Sequence, residues 1–132
     1  MNGRIVILDD DEDTLEVLSD ILQDEGHEVH LRDLLFEDLV DVERLVPDII
    51  IADLFMGARR VGWEFLQRLK AHPPTAPIPL ILCTAGQLTT EEESAAQRQG
   101  ISIVYKPFDL DELTHLVTHL LGSPPLAVEG AS

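Results

Sequence analysis

The stretch VILDDDEDTLEVL, residues 6–18, passes from an apolar run straight into three aspartates and then into a segment of helical period. The run from Arg4 to Leu8 is short and rich in Ile, Val and Leu, which reads as a buried strand. Beyond the acids, Leu15, Leu18, Ile21 and Leu22 fall on one stripe of a helix, and Gly26 stands where that helix should end. The unit is therefore strand, acidic junction, helix. Carboxylates gathered at the end of a buried strand repel one another and lose hydration, so the junction calls for a physical reason.

The same alternation recurs along the chain. Further apolar runs at His27 to Leu31, Asp48 to Ala52, Ile78 to Cys83 and Ile101 to Tyr105 read as strands. Between and after them lie helical segments. The last is the clearest, with Leu110, Leu113, Leu116, Val117, Leu120 and Leu121 on one side and His115 and His119 on the other. The second, around Glu37 to Leu45, is the weakest. Capping-box spacing marks helix starts at Asp13 with Glu16, and at Thr89 or Thr90 with Glu92 or Glu93. Strand then helix, repeated five times, predicts an α/β fold: a doubly wound five-stranded parallel sheet with helices on both faces. Residues 1–122 read as one domain, and residues 123–132, with two prolines and little apolar content, as a flexible tail or linker stump.

At 132 residues the chain suits one domain with a real core and is too short for two of ordinary size. Nine Lys and Arg stand against 25 Asp and Glu, a formal net charge of −16, which repels nucleic acid and anionic membrane surfaces. Direct nucleic-acid binding is thus disfavoured, and no apolar run approaches the roughly 20 residues that cross a bilayer. The single Cys83 cannot form an internal disulfide, and the opening MNGRIVIL lacks the separate charged, apolar and cleavage regions of a secretory signal. A cytoplasmic protein of a reducing compartment is the expectation.

In a sheet of this kind ligands bind beyond the carboxyl ends of the strands, where the strand order reverses. The first strand ends in Asp9, Asp10 and Asp11, the third in Asp53, the fourth in Thr84, and the fifth runs into Lys106; the second ends in Leu31 and Arg32, without an acid. That pattern matches the flavodoxin-like order 2-1-3-4-5, in which the second strand is outermost. Clustered carboxylates become tolerable around a cation, and an all-oxygen set suits Mg²⁺. A phosphoryl group drawn to that cation would find a positive charge in Lys106 and a hydroxyl in Thr84.

From Arg4 to about Leu121 the chain resembles the receiver domain of bacterial two-component response regulators. The resemblance is carried by Asp9 with Asp10, by Asp53 in PDIIIADLFMG, by Thr84 with Ala85 in PLILCTAG, and by Lys106 with Pro107 in VYKPFD. It implies that Asp53 is the phosphoacceptor, taking a phosphoryl group from the phosphohistidine of a sensor histidine kinase or phosphotransfer protein. It implies Asp10, Asp53 and the backbone carbonyl of Phe55 as direct Mg²⁺ ligands and Asp9 as a ligand through water, with Mn²⁺ the alternative cation. Lys106 would pair with phosphoryl oxygens, Thr84 would move toward them, and the Lys106–Pro107 peptide would be cis. The output would be a changed face around the fourth helix, fifth strand and fifth helix, read by an unidentified output protein; a homodimer through the last helices stays open. No turnover beyond self-phosphorylation and self-dephosphorylation is expected.

The chain departs from the family pattern in several places. After the phosphoacceptor the family has Pro four positions on and Gly eight on; here Gly57 takes the first place and Gly62 comes nine on. In that loop Arg59 and Arg60 read as solvated side chains, with an anion or an acidic partner surface as the less favoured reading. Three positions before the lysine the family's switch aromatic is replaced by Ile103. Tyr105 shares a strand face with Ile103 and reads as a packed aromatic rather than a substitute switch. Gly100 lies six residues before Lys106, which shortens the preceding loop. Acids at Asp11, Glu12 and Asp13 suit a helix's first turn, His115 and His119 a solvated face, and Cys83 and Trp63 packing.

Two other functions fit parts of the pattern. One is an adaptor that keeps the fold and is never phosphorylated. The other is a phosphatase of the haloacid dehalogenase type, which would use Asp9 as nucleophile with Asp11 beside it. Phe55 and Gly86 occupy the two positions that tune phosphoryl lifetime in receivers, and neither side chain can hold an attacking water by hydrogen bonding. Slow self-dephosphorylation is expected, with Phe55 shielding the site. Loss of label from the phosphorylated chain and its Phe55→Ala variant checks this, and a rate that Phe55→Ala barely raises removes the shielding.

Overall fold

The computed structural model describes residues 3–9, 12–32, 39–54, 61–84, 88–106 and 109–122. In chain order it contains β1 (Arg4–Leu8), α1 (Glu12–Asp24), β2 (Glu28–Arg32), α2 (Leu39–Leu45), β3 (Ile49–Asp53), α3 (Val61–Ala71), β4 (Leu80–Thr84), α4 (Thr90–Gln99), β5 (Ile101–Tyr105) and α5 (Leu110–Gly122). All neighbouring strands are parallel, in the order β2-β1-β3-β4-β5. The expected flavodoxin-like sheet is the one the chain adopts.

Side chains alternate across each strand, so each helix finds an apolar face. Ile5 and Ile7 of β1, Ile49 and Ile51 of β3, and Ile81 and Cys83 of β4 pack under Leu18 and Leu22 of α1 and Leu113 and Val117 of α5. Val6, Leu8, Ile50, Ala52, Leu80 and Leu82 turn the other way. They meet Val42 of α2, Phe65, Leu66 and Leu69 of α3, and Ala96 of α4. Ile49 to Ala52 are at most 1% exposed. At about 1.5–3 kcal/mol for each large apolar side chain, the central strands β1, β3 and β4 carry most of the stability. No described helix is long and apolar enough to cross a membrane.

Three strands are displaced from their expected bounds. His27 belongs to the turn before β2, because its N–H donates to Leu22 O at 3.1 Å and so finishes α1. β3 extends through Asp53, which pairs with Cys83. β4 begins at Leu80, since Pro79 has no N–H for the ladder and offers only its carbonyl, to Ile50 N at 3.1 Å. The start expected for α1 also needs correction: the helix begins at Glu12, so Asp13 lies inside the first turn and favours the macrodipole rather than capping the helix. For α4 the capping box holds, with Thr89 Oγ1 accepting from Glu92 N and Glu92 Oε1 from Thr89 N, both at 3.0 Å. Gly100 closes α4 in the left-handed region at φ 73°, and β5 starts at the next residue, which is the shortening seen in the sequence. Residues 37, 38 and 123–132 lie outside the described residues.

Gly62, in the first turn of α3, donates its N–H to Leu54 O at 3.0 Å. A Cβ there would lie 1.9 Å from the carbonyl oxygen of Asp53 and 2.9 Å from the Cα of Leu54, so α3 sits this close to the end of β3 only because residue 62 has no side chain. Gly62→Ala is expected to cost roughly 1–3 kcal/mol by forcing backbone apart, read as a lower urea midpoint. An unchanged midpoint would show that the contact is soft.

His27 is buried and its Nδ1 accepts the Gly3 N–H at 3.2 Å, which requires a neutral ring. Burial holds its pKa below the ordinary 6.5, against the opposing charge of Glu25. The folded value is the lower one, so this stabilisation is complete above the unfolded value near 6.5 and disappears as pH falls through the folded value. Urea midpoints measured between pH 7.5 and 5.5 should therefore drop more for the native sequence than for His27→Gln, and equal drops would refute the assignment.

Candidate functional site

Four neighbouring strands bring polar residues to one edge of the sheet. Asp9 follows β1 directly; its N–H donates to Arg32 O at 3.4 Å and the residue is 4% exposed. Asp53 closes β3, and the next N–H, of Leu54, donates to Cys83 O at 2.9 Å. Thr84 closes β4, is 1% exposed and pairs with Tyr105. Lys106 follows β5, where its N–H donates to Thr84 O at 2.7 Å and continues the ladder one step past the strand. That bond fixes the root of the lysine. Its Nζ then donates to Asp53 Oδ2 at 3.0 Å, joining residues 53 positions apart in sequence.

The alternation of the strands sorts these groups. Asp9 continues the Ile5, Ile7 series, Asp53 the Ile49, Ile51 series and Lys106 the series of Val104, all on the face covered by α1 and α5, with Cys83 among them. Thr84 continues Leu80 and Leu82, and Tyr105 continues Ile101 and Ile103, on the α4 side. The acids and the ammonium thus share one face, while the hydroxyls belong to the other.

Burial alone would lower the pKa of Lys106, but the hydrogen bond and charge of Asp53, with the charge of Asp9, outweigh it and leave the value raised. The ammonium is therefore charged at neutral pH. Burial pushes the Cys83 thiol up to about 12, with Lys106 pulling it down and Asp53 and Asp9 pushing it further up. Such a thiol stays protonated and acts as a packing residue, as expected from the sequence. Two carboxylates against one ammonium leave one negative charge among oxygen donors, which suits a hard divalent cation. The described residues alone form no group of three acidic, His or Cys ligands. The rest of the expected ligand set, Asp10 and the carbonyl of Phe55, lies outside the described residues, as do Asp11, Gly57, Arg59, Arg60, Ala85, Gly86 and Pro107.

Ile103 packs against the core on the α4 side, as a residue with no polar group should. Tyr105 departs from expectation. It is 46% exposed rather than packed, and its hydroxyl donates to the carboxylate of Glu93 on α4, a bond that raises its pKa. Tyr105 is the last residue of an edge strand, with no further strand among the described residues beyond it to cover the ring. Trp63 packs partly buried on the core, and His115 and His119 are exposed on α5. The closeness of Cys83 to the site was legible in its register, since the residue facing Asp53 on a neighbouring strand must lie near it. The contact of Gly62 with Asp53 carried no sequence signal beyond the glycine itself.

The family model described as response regulator receiver domain matches residues 5–118. A 14.6 kDa uncharacterized protein in the sodA1 3′ region of Leptolyngbya boryana is 34% identical over 123 residues, covering 92% of each chain. The response regulator Rre1 of a Synechocystis strain is 26% identical over 97% of this chain, which spans 55% of that longer protein. Among solved structures, the chemotaxis response regulator CheY4 of Vibrio cholerae has the same fold, with a TM-score of 0.76 at 23% identity, covering 92% of this chain and all of that one. The haloacid dehalogenase alternative gives way to these matches. The strand order, the aligned strand ends and the family match over nearly the whole chain lead to one conclusion: the chain belongs to the receiver domain family of two-component response regulators.

Proposed function

We propose that the chain is a phosphorylation-controlled signalling unit in which Asp53 accepts a phosphoryl group from a phosphohistidine of a sensor histidine kinase or phosphotransfer protein. The observation that carries this reading is the 3.0 Å bond from Lys106 Nζ to Asp53 Oδ2 at a part-buried strand end. With Oδ2 turned to the ammonium, the other carboxylate oxygen is left to attack phosphorus. The P–N bond to the histidine, whose other ring nitrogen carries a proton, breaks as the P–O bond to Asp53 forms, and a neutral imidazole departs. Lys106 is then released from the carboxylate and takes the new phosphoryl oxygens. Thr84, rising from the α4 side, supplies its hydroxyl to them and so ties the modified acid to the α4 face.

Asp9 and Asp53, with Asp10 and the carbonyl of Phe55, would hold Mg²⁺, which neutralises charge on the phosphoryl oxygens when bound. Residues 1–122 would form the receiver unit and 123–132 a tail. The output is an altered surface of α4, β5 and α5 offered to another protein. The adaptor reading is less favoured, because it gives no role to the acids, the hydroxyl and the ammonium that Asp9, Asp53, Thr84 and Lys106 bring to one end of the sheet.

Incubation with acetyl phosphate and Mg²⁺, followed by intact-mass measurement, should add one phosphoryl group to the native sequence and none to Asp53→Asn. Lys106→Gln should slow uptake about 100-fold, the scale for loss of one preorganised charge-stabilising donor. No added mass on the native chain would move the assignment to the adaptor.

A further inference from the structure

α4 offers the core less apolar surface than α3 and α5 do. α3 buries Phe65, Leu66 and Leu69, and α5 buries Leu113, Thr114 and Val117. α4 buries Ala96 alone. On its β5 side a groove of about 440 Å³ runs between helix and strand, lined by Thr90, Glu93, Gln97, Ile103 and Tyr105 among others. Polar side-chain contacts on both sides of this helix supplement that small apolar burial. On the β5 side the Tyr105 hydroxyl reaches Glu93. On the α3 side Gln67 and Gln99 pair head to head: Gln67 Nε2 donates to Gln99 Oε1 at 2.9 Å and Gln99 Nε2 donates to Gln67 Oε1 at 2.8 Å.

We propose that the Gln67–Gln99 amide pair is a clasp that sets how often α4 leaves its seat. A reciprocal amide pair suits this role. Both bonds are made or lost together, the groups are neutral, and water satisfies the same four atoms once the pair opens, so release leaves nothing buried and unpaired. Release would uncover Ile101, now 5% exposed, and widen the groove beside Tyr105. The use of that motion in signalling rests on the reading of this face as the output surface, whereas the clasp itself does not.

Hydrogen–deuterium exchange, followed by mass spectrometry on the whole unphosphorylated chain, tests it. Gln67→Ala and Gln99→Ala should each speed exchange in α4 by about tenfold while β1 and β3 stay protected, as expected for local opening. The double variant should be no faster than the faster single one, since both remove the same contact. Unchanged α4 exchange, multiplied effects in the double variant, or equal acceleration in β1 and β3 would overturn the clasp. A charged pair gives a second check: Gln67→Glu with Gln99→Lys should exchange more slowly in α4 than Gln67→Glu alone, and no such rescue would count against it. No phosphodonor is present, so a failure of Asp53 to take up phosphoryl would leave these results untouched.

Discussion

A carboxylate at the buried end of β3 requires an ammonium beside it. The strands leading to Asp9 and Asp53 are covered by helices on both faces, so their carboxylates emerge where hydration is poor and mutual repulsion strong. Lys106 offsets part of that cost, and it does so from two strands away because its own backbone is fastened to Thr84. The strand order, the ladder step past β5 and the alternation that puts Lys106 on the α1 and α5 face all converge on this contact.

The remaining unbalanced charge is what gives the site its chemistry. In a chain of net charge −16, one more negative group would ordinarily add repulsion, yet at this edge it stands among oxygen donors of the kind that suit a hard divalent cation. Thr84 and Tyr105 point to the opposite face, the side where α4 rests. There α4 contributes only Ala96 to the buried core. The molecule thus joins a densely packed centre, which fixes the acid, to a helix secured by side-chain hydrogen bonds, which are individually worth only about 0.5–1.5 kcal/mol.

Much of this was legible in the sequence because the signals were periodic or positional. Runs of Ile, Val and Leu marked the strands, the helical stripe of Leu113 and Val117 marked α5, and Thr89 with Glu92 marked the start of α4. The register of Asp9, Asp53, Thr84 and Lys106 at strand ends needed only the fold class. Boundaries shifted where a residue's hydrogen bonds outweighed its hydropathy, as at His27, whose N–H serves the preceding helix, and at Pro79, which has none to give. Tyr105 was misread because an aromatic in a strand suggests burial, whereas its exposure depends on which strand is at the edge and where that strand stops. The Gln67–Gln99 pair was out of reach: nothing in two distant glutamines announces that their helices bring them together.

The contact at Gly62 explains how an altered spacing can be accommodated. Leu54 O and Gly62 N close the segment between them at its base, and the backbone of Asp53 is braced against the same glycine. Chain length inside that closure is insulated from the acid, since lengthening a closed segment changes only its closure entropy and that only slowly. The glycine's separation from Asp53 in sequence is free to drift by insertion or deletion, while its position in space is not.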